Sequence, residues 1–235
     1  MRGLFITGTD TGVGKTVLSA SLLAAMMAAG EPVRAHKPVL TGLDDHGHEA
    51  GPAAWPADHE LLGAVAGMEP EDVSPLRFGP AVSPHLAAAL SGVQIDPEKL
   101  LAAALAGTAG KTLVVEGVGG LLVPLSEDFS VCDLALALGL PLVIAARPGL
   151  GTINHTLLTL SVAREVGLEV AAAVLTPWPE RPSALELSNR ETIARLGKVE
   201  VATLAPVQSP DPAELARAGA GLPWQEWLSD RSAIR

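Results

Sequence analysis

The stretch Gly8-Thr9-Asp10-Thr11-Gly12-Val13-Gly14-Lys15-Thr16 decides the fold of this 235-residue chain. A short apolar run precedes it, and a long Ala/Leu-rich segment with helical spacing follows it. A glycine-rich turn between a strand and a helix, closed by Gly-Lys-Thr, is typical of a phosphate-binding loop, because its N–H groups and the helix N-terminus favour anions. Gly8 lies six positions before Gly14 rather than five, so Thr9 takes the place of the usual first glycine. The stretch therefore predicts a nucleotide-binding loop with a non-standard spacing.

The rest of the chain repeats this alternation of short apolar runs and helical segments. The apolar runs predict strands at residues 4–7, 33–38, 112–116, 142–146, 170–175 and 201–204. Helical spacing predicts helices at residues 15–29, 58–65, 84–90, 97–106, 133–138, 153–166 and 188–196, with a further short helix beginning at Ala213. Strands this apolar are typical of a parallel sheet covered on both faces. We therefore expect an α/β protein: a single domain, residues 1–235, with the parallel-sheet P-loop NTPase fold and helices on both faces.

Composition and charge exclude several classes of function. The chain has 16 Lys and Arg against 26 Asp and Glu, a net charge of −10, which repels nucleic acid. The longest apolar stretch runs from Leu134 to Ala146 and contains Pro141, so it is shorter than the roughly 20 residues of a membrane span. The N-terminus has no signal-peptide pattern, and the one cysteine, Cys132, cannot form an intrachain disulfide. We expect a cytoplasmic protein without nucleic-acid or membrane partners.

A lysine and a threonine follow the second predicted strand. Lys37 ends that strand just before Pro38, and Thr41 comes four residues later. Ligands of α/β sheets gather outside the carboxyl ends of the strands, so the Lys37 ammonium is expected to face the same crevice as Lys15. The alternative is a solvated lysine at a strand end.

Two carboxylates are candidate metal ligands. Glu116 ends the third apolar run, and the glycines at 117, 119 and 120 let backbone approach a ligand there. Its alternative is a solvated glutamate. Asp58 begins a predicted helix after the Gly-, Pro- and His-rich stretch 44–56, which is expected to be a mobile surface loop. Spacing alone favours Asp58 as a helix N-cap over a metal ligand.

The ordered set of motifs resembles the dethiobiotin synthetase family. The matching motifs are GTDTGVGKT at 8–16, HKPVLTG at 36–42, Asp58, SPH at 83–85, VEGVGG at 115–120 and GTINHT at 151–156. Enzymes of this family use ATP and Mg²⁺ to carboxylate 7,8-diaminononanoate with CO₂ and to close the ureido ring, giving dethiobiotin, ADP and phosphate in biotin biosynthesis. The resemblance implies a route through a carbamate and a carbamic-phosphoric anhydride.

The resemblance also implies a role for each matching residue. The ATP site would comprise Gly12, Val13, Gly14, Lys15, Thr16, Val17, Asp58, Glu116, Gly117, Val118, Gly119, Thr176 and Pro177. Magnesium would be held by Thr16, Asp58 and Glu116. Catalysis would fall to Lys37, Lys15 and Thr11, and the diamine or its carbamate would contact Thr11, Lys37 and Thr41. The substrate carboxylate would bind across a homodimer interface, on Gly151, Thr152, Ile153 and Asn154 of the neighbouring subunit.

The base site departs from the family pattern. Many members have an asparagine after the fifth strand whose amide reads adenine, whereas this chain has Leu175-Thr176-Pro177-Trp178. A threonine cannot supply the paired donor and acceptor of an amide, and proline has no N–H. We therefore predict weak discrimination among nucleoside triphosphates. Trp178 either stacks on the base or packs against the fold.

Two other functions remain as alternatives. A partitioning-ATPase switch would carry an extra lysine early in the loop, where this chain has Asp10. An amide-forming enzyme of the cobyrinate amidase kind would need an ammonia source, usually a glutaminase domain, for which the chain has neither the length nor a suitable cysteine. Phosphate release that depends on both diaminononanoate and bicarbonate separates all three.

Overall fold

The protein is built from alternating strands and helices, seen here in a computed structural model that describes residues 1–44 and 55–229. The strands in these two ranges are β1 (Gly3–Gly8), β2 (Val33–His36), β3 (Val39–Leu40), β4 (Leu76–Arg77), β5 (Thr112–Gly120), β6 (Leu142–Ala146), β7 (Val170–Leu175) and β8 (Val201–Thr203). The helices are α1 (Lys15–Ala28), α2 (Asp58–Ala66), α3 (Pro70–Val73), α4 (Pro84–Leu90), α5 (Pro97–Leu105), α6 (Val131–Leu138), α7 (Thr152–Glu165), α8 (Ala184–Gly197), α9 (Pro212–Gly219) and α10 (Trp224–Trp227). The predicted α/β alternation is confirmed.

Six of the strands form one parallel sheet in the order β2-β5-β1-β6-β7-β8. Strands β3 and β4 pair separately, also in parallel. In the main sheet β1 lies between β5 and β6. The chain therefore runs from β1 to β2 on one side of β1, and later from β5 to β6 on the other side. Such a switch in strand order opens a crevice at the carboxyl ends of the central strands. The glycine-rich loop follows β1 directly and lies at this crevice.

The strands bury side chains on both faces of the sheet. Alternate residues of β1 separate cleanly, since Leu4 and Ile6 pack on one side and Phe5 on the other. Helices α1, α2, α9 and α10 supply the core on the Leu4 side, and α4 to α8 supply it on the Phe5 side. Both faces are therefore covered, as the apolar strand sequences predict. No helix in ranges 1–44 and 55–229 combines the length and apolarity needed to cross a bilayer.

Several predicted boundaries are wrong. Strand β5 continues to Gly120, so Glu116 lies inside the strand rather than at its end. Strand β2 ends at His36, and Lys37 follows it, its backbone N–H donating to the carbonyl of Val73. Helix α8 begins at Ala184 rather than at residue 188. The sequence analysis also missed β3, β4, α3 and α10. Most of the predicted mobile loop, residues 45–54, lies outside the described residues.

Candidate active site

The glycine-rich loop turns sharply from β1 into α1. Gly14, the N-cap of α1, has a φ of 90°, and a Cβ there would lie 2.9 Å from Cγ2 of Thr176. Glycine is therefore required by both the backbone conformation and the close approach of β7's C-terminal end. The Lys15 ammonium is buried and donates to the carbonyl oxygen of Asp10 at 2.9 Å. Burial, reinforced by the nearby positive charge of Lys37, lowers the pKa of Lys15 below its usual range, although Glu116 opposes the shift.

Four side chains from separate elements meet beside this loop, and we call them the Lys37 cluster: Thr16, Lys37, Asp58 and Glu116. Lys37 Nζ lies 2.6 Å from Glu116 Oε1 and 2.7 Å from Asp58 Oδ2. The Thr16 hydroxyl donates to the same Glu116 oxygen at 2.9 Å. The members come from separate parts of the fold: Thr16 lies in the first turn of α1, Lys37 directly follows β2, Asp58 begins α2, and Glu116 lies in β5.

Lys37 and Glu116 are the buried members of the Lys37 cluster, whereas Thr16 and Asp58 are half-buried. Lys37 is 4% exposed and Glu116 is 1% exposed. The alternative that each is a solvated residue at a strand end is therefore wrong. Burial alone would lower the pKa of Lys37, but the carboxylates of Glu116 and Asp58 outweigh burial and raise it well above the usual range. Burial would likewise raise the pKa of Asp58, but the Lys37 charge and hydrogen bonds from Lys37 and Thr16 hold it below the usual range.

Asp58 does not serve as a helix N-cap, and the prediction from spacing is wrong. The N-cap of α2 is Ala57, and Asp58 is the first helical residue. The Asp58 carboxylate is directed instead to Lys37, where a nearly buried ammonium gives a stronger partner than a helix N–H group. Tertiary pairing therefore overrides the local preference of aspartate.

The Lys37 cluster fits a magnesium ion. Glu116 Oε2 is buried and has no hydrogen-bond partner among the residues described, so one ligand oxygen is free. Carboxylate and hydroxyl oxygens are the protein ligands that Mg²⁺ prefers, usually together with water and phosphate oxygens. Thr16, Asp58 and Glu116, the three metal contacts implied by the resemblance, are thus brought to one place.

A cavity of about 1220 Å³ opens over the loop and the Lys37 cluster. The predicted site residues that line it are Thr11, Gly12, Gly14, Lys15, Thr16, Val17, Lys37, Thr41, Asp58, Glu116, Val118 and Gly119. Those that do not line it are Val13, Gly117, Gly151, Thr152, Ile153, Asn154, Thr176 and Pro177. The cavity is also lined by Trp55 and by residues 81–84, which the sequence analysis did not assign to the site.

The turn between β6 and α7 borders the loop from the other side. It lines a smaller hollow of about 150 Å³, to which Thr152, His155 and Val13 also contribute. Arg147, the first residue after β6, donates from Nη2 and Nε to the carbonyl of Gly12, at 3.0 and 3.3 Å. The sequence analysis missed Arg147; an arginine directly after an apolar run at the carboxyl edge is the signal that was available.

The residues of the predicted base site pack inward. Thr176 is buried, and its methyl group faces Gly14. Trp178 packs against the core on the Phe5 side of the sheet, which is the second of the two roles considered for it. Neither residue presents an amide side chain.

The comparisons with known proteins agree with this architecture. Residues 2–210 match the model of a family described as "AAA domain". The ATP-dependent dethiobiotin synthetase BioD of Anaeromyxobacter dehalogenans strain 2CP-C is 44% identical over 93% of this chain and 95% of its own length. The protein of the same name from Bacillus subtilis strain 168 is 37% identical over 88% and 87%, and that of Mycobacterium sp. strain KMS is 38% identical over 97% and 99%.

Solved structures share the fold at low sequence identity. A ParA family ATPase of Chlorobium tepidum superposes with a TM-score of 0.53 at 13% identity, covering 94% of this chain and 98% of its own. The cell division ATPase MinD of Pyrococcus furiosus gives 0.51 at 19% identity, covering 94% and 90%. These likenesses show the P-loop fold, and the sequence relatives show the family. The chain belongs to the ATP-dependent dethiobiotin synthetase family.

Proposed function

We propose that this chain makes dethiobiotin from 7,8-diaminononanoate, CO₂ and ATP. The observation that carries the proposal is the Lys37 cluster, in which a buried ammonium and two carboxylates lie in one cavity with the phosphate-binding loop. Full-length similarity to named synthetases supports the same reaction. The chain acts as one domain, residues 1–235, and its single, buried, free Cys132 suits the cytoplasm.

ATP and Mg²⁺ occupy adjoining parts of the site in this proposal. The loop from Gly12 to Val17 holds the phosphates, and the N-terminus of α1 adds its partial positive charge. Thr16, Asp58 and Glu116 hold Mg²⁺, which neutralises phosphate charge when bound. The Lys15 side chain, which contacts a loop carbonyl in this structure, is the group that reaches the outer phosphates.

The two lysines assist capture of CO₂ by an amine. An alkylamine has a pKa of about 10.4, so its reactive neutral form is scarce at pH 7. A third cation near Lys15 and Lys37 is disfavoured, which promotes the neutral amine, and the pKa of Lys15 itself falls in part through burial and in part through Lys37. The same two ammonium groups then stabilise the carbamate anion. Thr11 and Thr41, both on the cavity wall, are placed to contact the diamine or this carbamate.

The remaining steps need positioning and charge neutralisation. Transfer of a phosphoryl group to the carbamate, giving the carbamic-phosphoric anhydride, spreads negative charge over oxygens that Lys15, Lys37 and the loop N–H groups stabilise. The second amine then attacks the activated carbonyl, which forms the C–N bond of the ring, breaks the C–O bond to phosphate and releases phosphate and a proton. Because both amines belong to one molecule, this ring closure has a high effective molarity. No side chain of the protein forms a covalent bond in this sequence of steps.

A homodimer completes the site. Gly151 begins α7, and the backbone N–H groups of Ile153 and Asn154 have no acceptor among the residues described. Free N–H groups at a helix start suit a carboxylate. We place the substrate carboxylate on residues 151–154 of the neighbouring subunit.

Nucleotide discrimination is predicted to be weak. Thr176 is buried against Gly14, and Pro177 has no N–H, so neither residue reads the edge of adenine as an amide would. We expect kcat/KM for ATP to exceed the values for GTP and CTP by less than about a hundredfold, which corresponds to about 2.7 kcal/mol. Steady-state phosphate release with each nucleotide tests this, and a larger preference for ATP would refute it.

Substituting Thr16 with alanine is predicted to raise the magnesium requirement. The Thr16 hydroxyl contacts Glu116 in this structure and is one of the three proposed metal ligands. Its loss should raise the Mg²⁺ concentration for half-maximal activity by about tenfold. Thr108→Ala removes a hydroxyl that donates to the carbonyl of Leu105 and does not line the cavity, so it should leave the Mg²⁺ titration unchanged. Equal titrations for wild type and Thr16→Ala would remove Thr16 from the metal site.

Phosphate release is the direct test of the proposed function. The full chain should release phosphate from ATP only when both diaminononanoate and bicarbonate are present, with dethiobiotin formed in equal amount. Release that needs neither substrate would favour a nucleotide switch. Release that needs an ammonia source would favour an amide-forming enzyme.

A further inference from the structure

The turn between β6 and α7 is held by a side chain from a helix that contributes nothing else to the site. Asn189, on α8, is 4% exposed. Its Nδ2 donates to the carbonyl of Pro148 at 2.8 Å and to the carbonyl of Gly149 at 3.1 Å. One amide group thus uses both of its N–H bonds on two successive carbonyls of the turn.

These two hydrogen bonds hold the turn that leads into α7. The carbonyl of Gly149 that Asn189 contacts also accepts a bond from the backbone N–H of Thr152, at 3.3 Å. Gly151, the N-cap of α7, has a φ of 92° in the left-handed region that glycine adopts readily. The orientation of the turn therefore sets the direction of the free N–H groups of Ile153 and Asn154.

We propose that Asn189 is a positioning residue for the carboxylate of diaminononanoate. The inference rests on the proposed function, in which the start of α7 receives that carboxylate. By fixing the carbonyls of Pro148 and Gly149, Asn189 keeps the N–H groups at the start of α7 aimed at the carboxylate. Asn189 itself touches neither the nucleotide loop nor the Lys37 cluster. The contact of the turn with the nucleotide loop is made separately, by the Arg147 side chain on the carbonyl of Gly12.

The chemistry of position 189 makes the proposal specific. Leucine has a similar size but no donor, so two turn carbonyls would lose their partner in a buried place. Aspartate has the same shape as asparagine but only acceptor oxygens when ionised, so it would repel both carbonyls. Serine is smaller and leaves room for a water molecule to reach the turn.

The test compares Asn189→Leu, Asn189→Asp and Asn189→Ser with wild type in the full chain. The KM for diaminononanoate should rise about tenfold for leucine and aspartate and less for serine, because the lost contact binds ground state and transition state equally. The kcat and the KM for ATP should stay within about twofold of wild type. Arg190→Met, which removes a contact from the neighbouring residue of α8 to the carbonyl of Val201, is the matched control and should leave the KM for diaminononanoate unchanged.

A second substrate separates positioning from a general structural role. Nonane-2,3-diamine keeps both amines and the chain but has a methyl group in place of the carboxylate. With this diamine, wild type and the Asn189 variants should have the same kcat/KM within about twofold, because the contact that Asn189 supports is already absent. Equal losses on both diamines, or an unchanged KM for diaminononanoate, would overturn the inference. The proposed function is judged separately, by whether wild type releases phosphate with diaminononanoate and bicarbonate.

Discussion

Replacing Lys37 with glutamine is expected to lower kcat by about 10²–10³-fold, the usual cost of removing one group that stabilises charge in a transition state. Lys37 is the positive charge closest to both carboxylates of the site, and its raised pKa keeps it protonated throughout the neutral range. Glutamine retains an N–H donor for the carboxylates but has no charge to offer the carbamate. Single-turnover phosphate release at saturating ATP and diaminononanoate measures the effect on the chemical step.

Two comparisons make the Lys37 prediction specific. Lys99→Gln removes an exposed ammonium on α5 and should leave kcat unchanged. Lys37→Ala removes the donor as well, so it leaves Glu116 buried without its cation and should also reduce the free energy of unfolding, by about 3–5 kcal/mol. A kcat for Lys37→Gln within tenfold of wild type would remove this lysine from the mechanism.

Replacing Glu116 with glutamine is expected to have two separate effects. The first is on the metal, because Glu116 provides the free buried oxygen Oε2 of the Lys37 cluster. Loss of a residue that only supports a metal ligand weakens metal binding by about 10–100-fold. Because Glu116 is itself a proposed ligand, the Mg²⁺ concentration for half-maximal activity should rise by at least that factor. A Mg²⁺ titration of activity measures this effect.

The second effect of Glu116→Gln is on the pH profile. Burial lowers the pKa of Lys37, and the charge of Glu116 is the largest influence that opposes burial. Without that charge the pKa of Lys37 falls, so activity that needs the ammonium form is lost at a lower pH as the pH rises. Glu127→Gln, which removes an exposed carboxylate between β5 and α6, should change neither measurement. A Glu116→Gln enzyme with a wild-type Mg²⁺ titration and pH profile would contradict the assignment of Glu116.

The sequence predicts the strands and the loop well because their signals are local. Residues 142–146 and 170–175 are continuous apolar runs, and the strands β6 and β7 have these bounds. The end of β5 is not predicted, because glycines interrupt the apolar run after Glu116 while the pairing with β1 continues as far as Gly8 and Gly120. The pairing is tertiary and leaves no mark on the hydrophobic pattern.

In the site, too, local features could be predicted from the sequence and tertiary contacts could not. The types and positions of Lys37, Asp58 and Glu116 suggest ligands, but the ion pairs of Lys37 join residues that are far apart in sequence. The ion pair with Lys37 draws the Asp58 carboxylate away from the helix N-terminus, which the spacing of residues could not predict. Arg147 was missed although its place directly after an apolar run was a usable signal. Asn189 was missed because its acceptors are backbone carbonyls, which no sequence pattern identifies.

A crystal structure with diaminononanoate, bicarbonate, Mg²⁺ and a non-hydrolysable ATP analogue tests whether both lysines and the metal meet at the bound anions. We expect Mg²⁺ among Thr16, Asp58 and Glu116, with the nitrogens of Lys15 and Lys37 both within about 3 Å of anionic oxygens of the bound substrates. Lys37 directed away from those oxygens, or a metal held by other residues, would contradict this expectation.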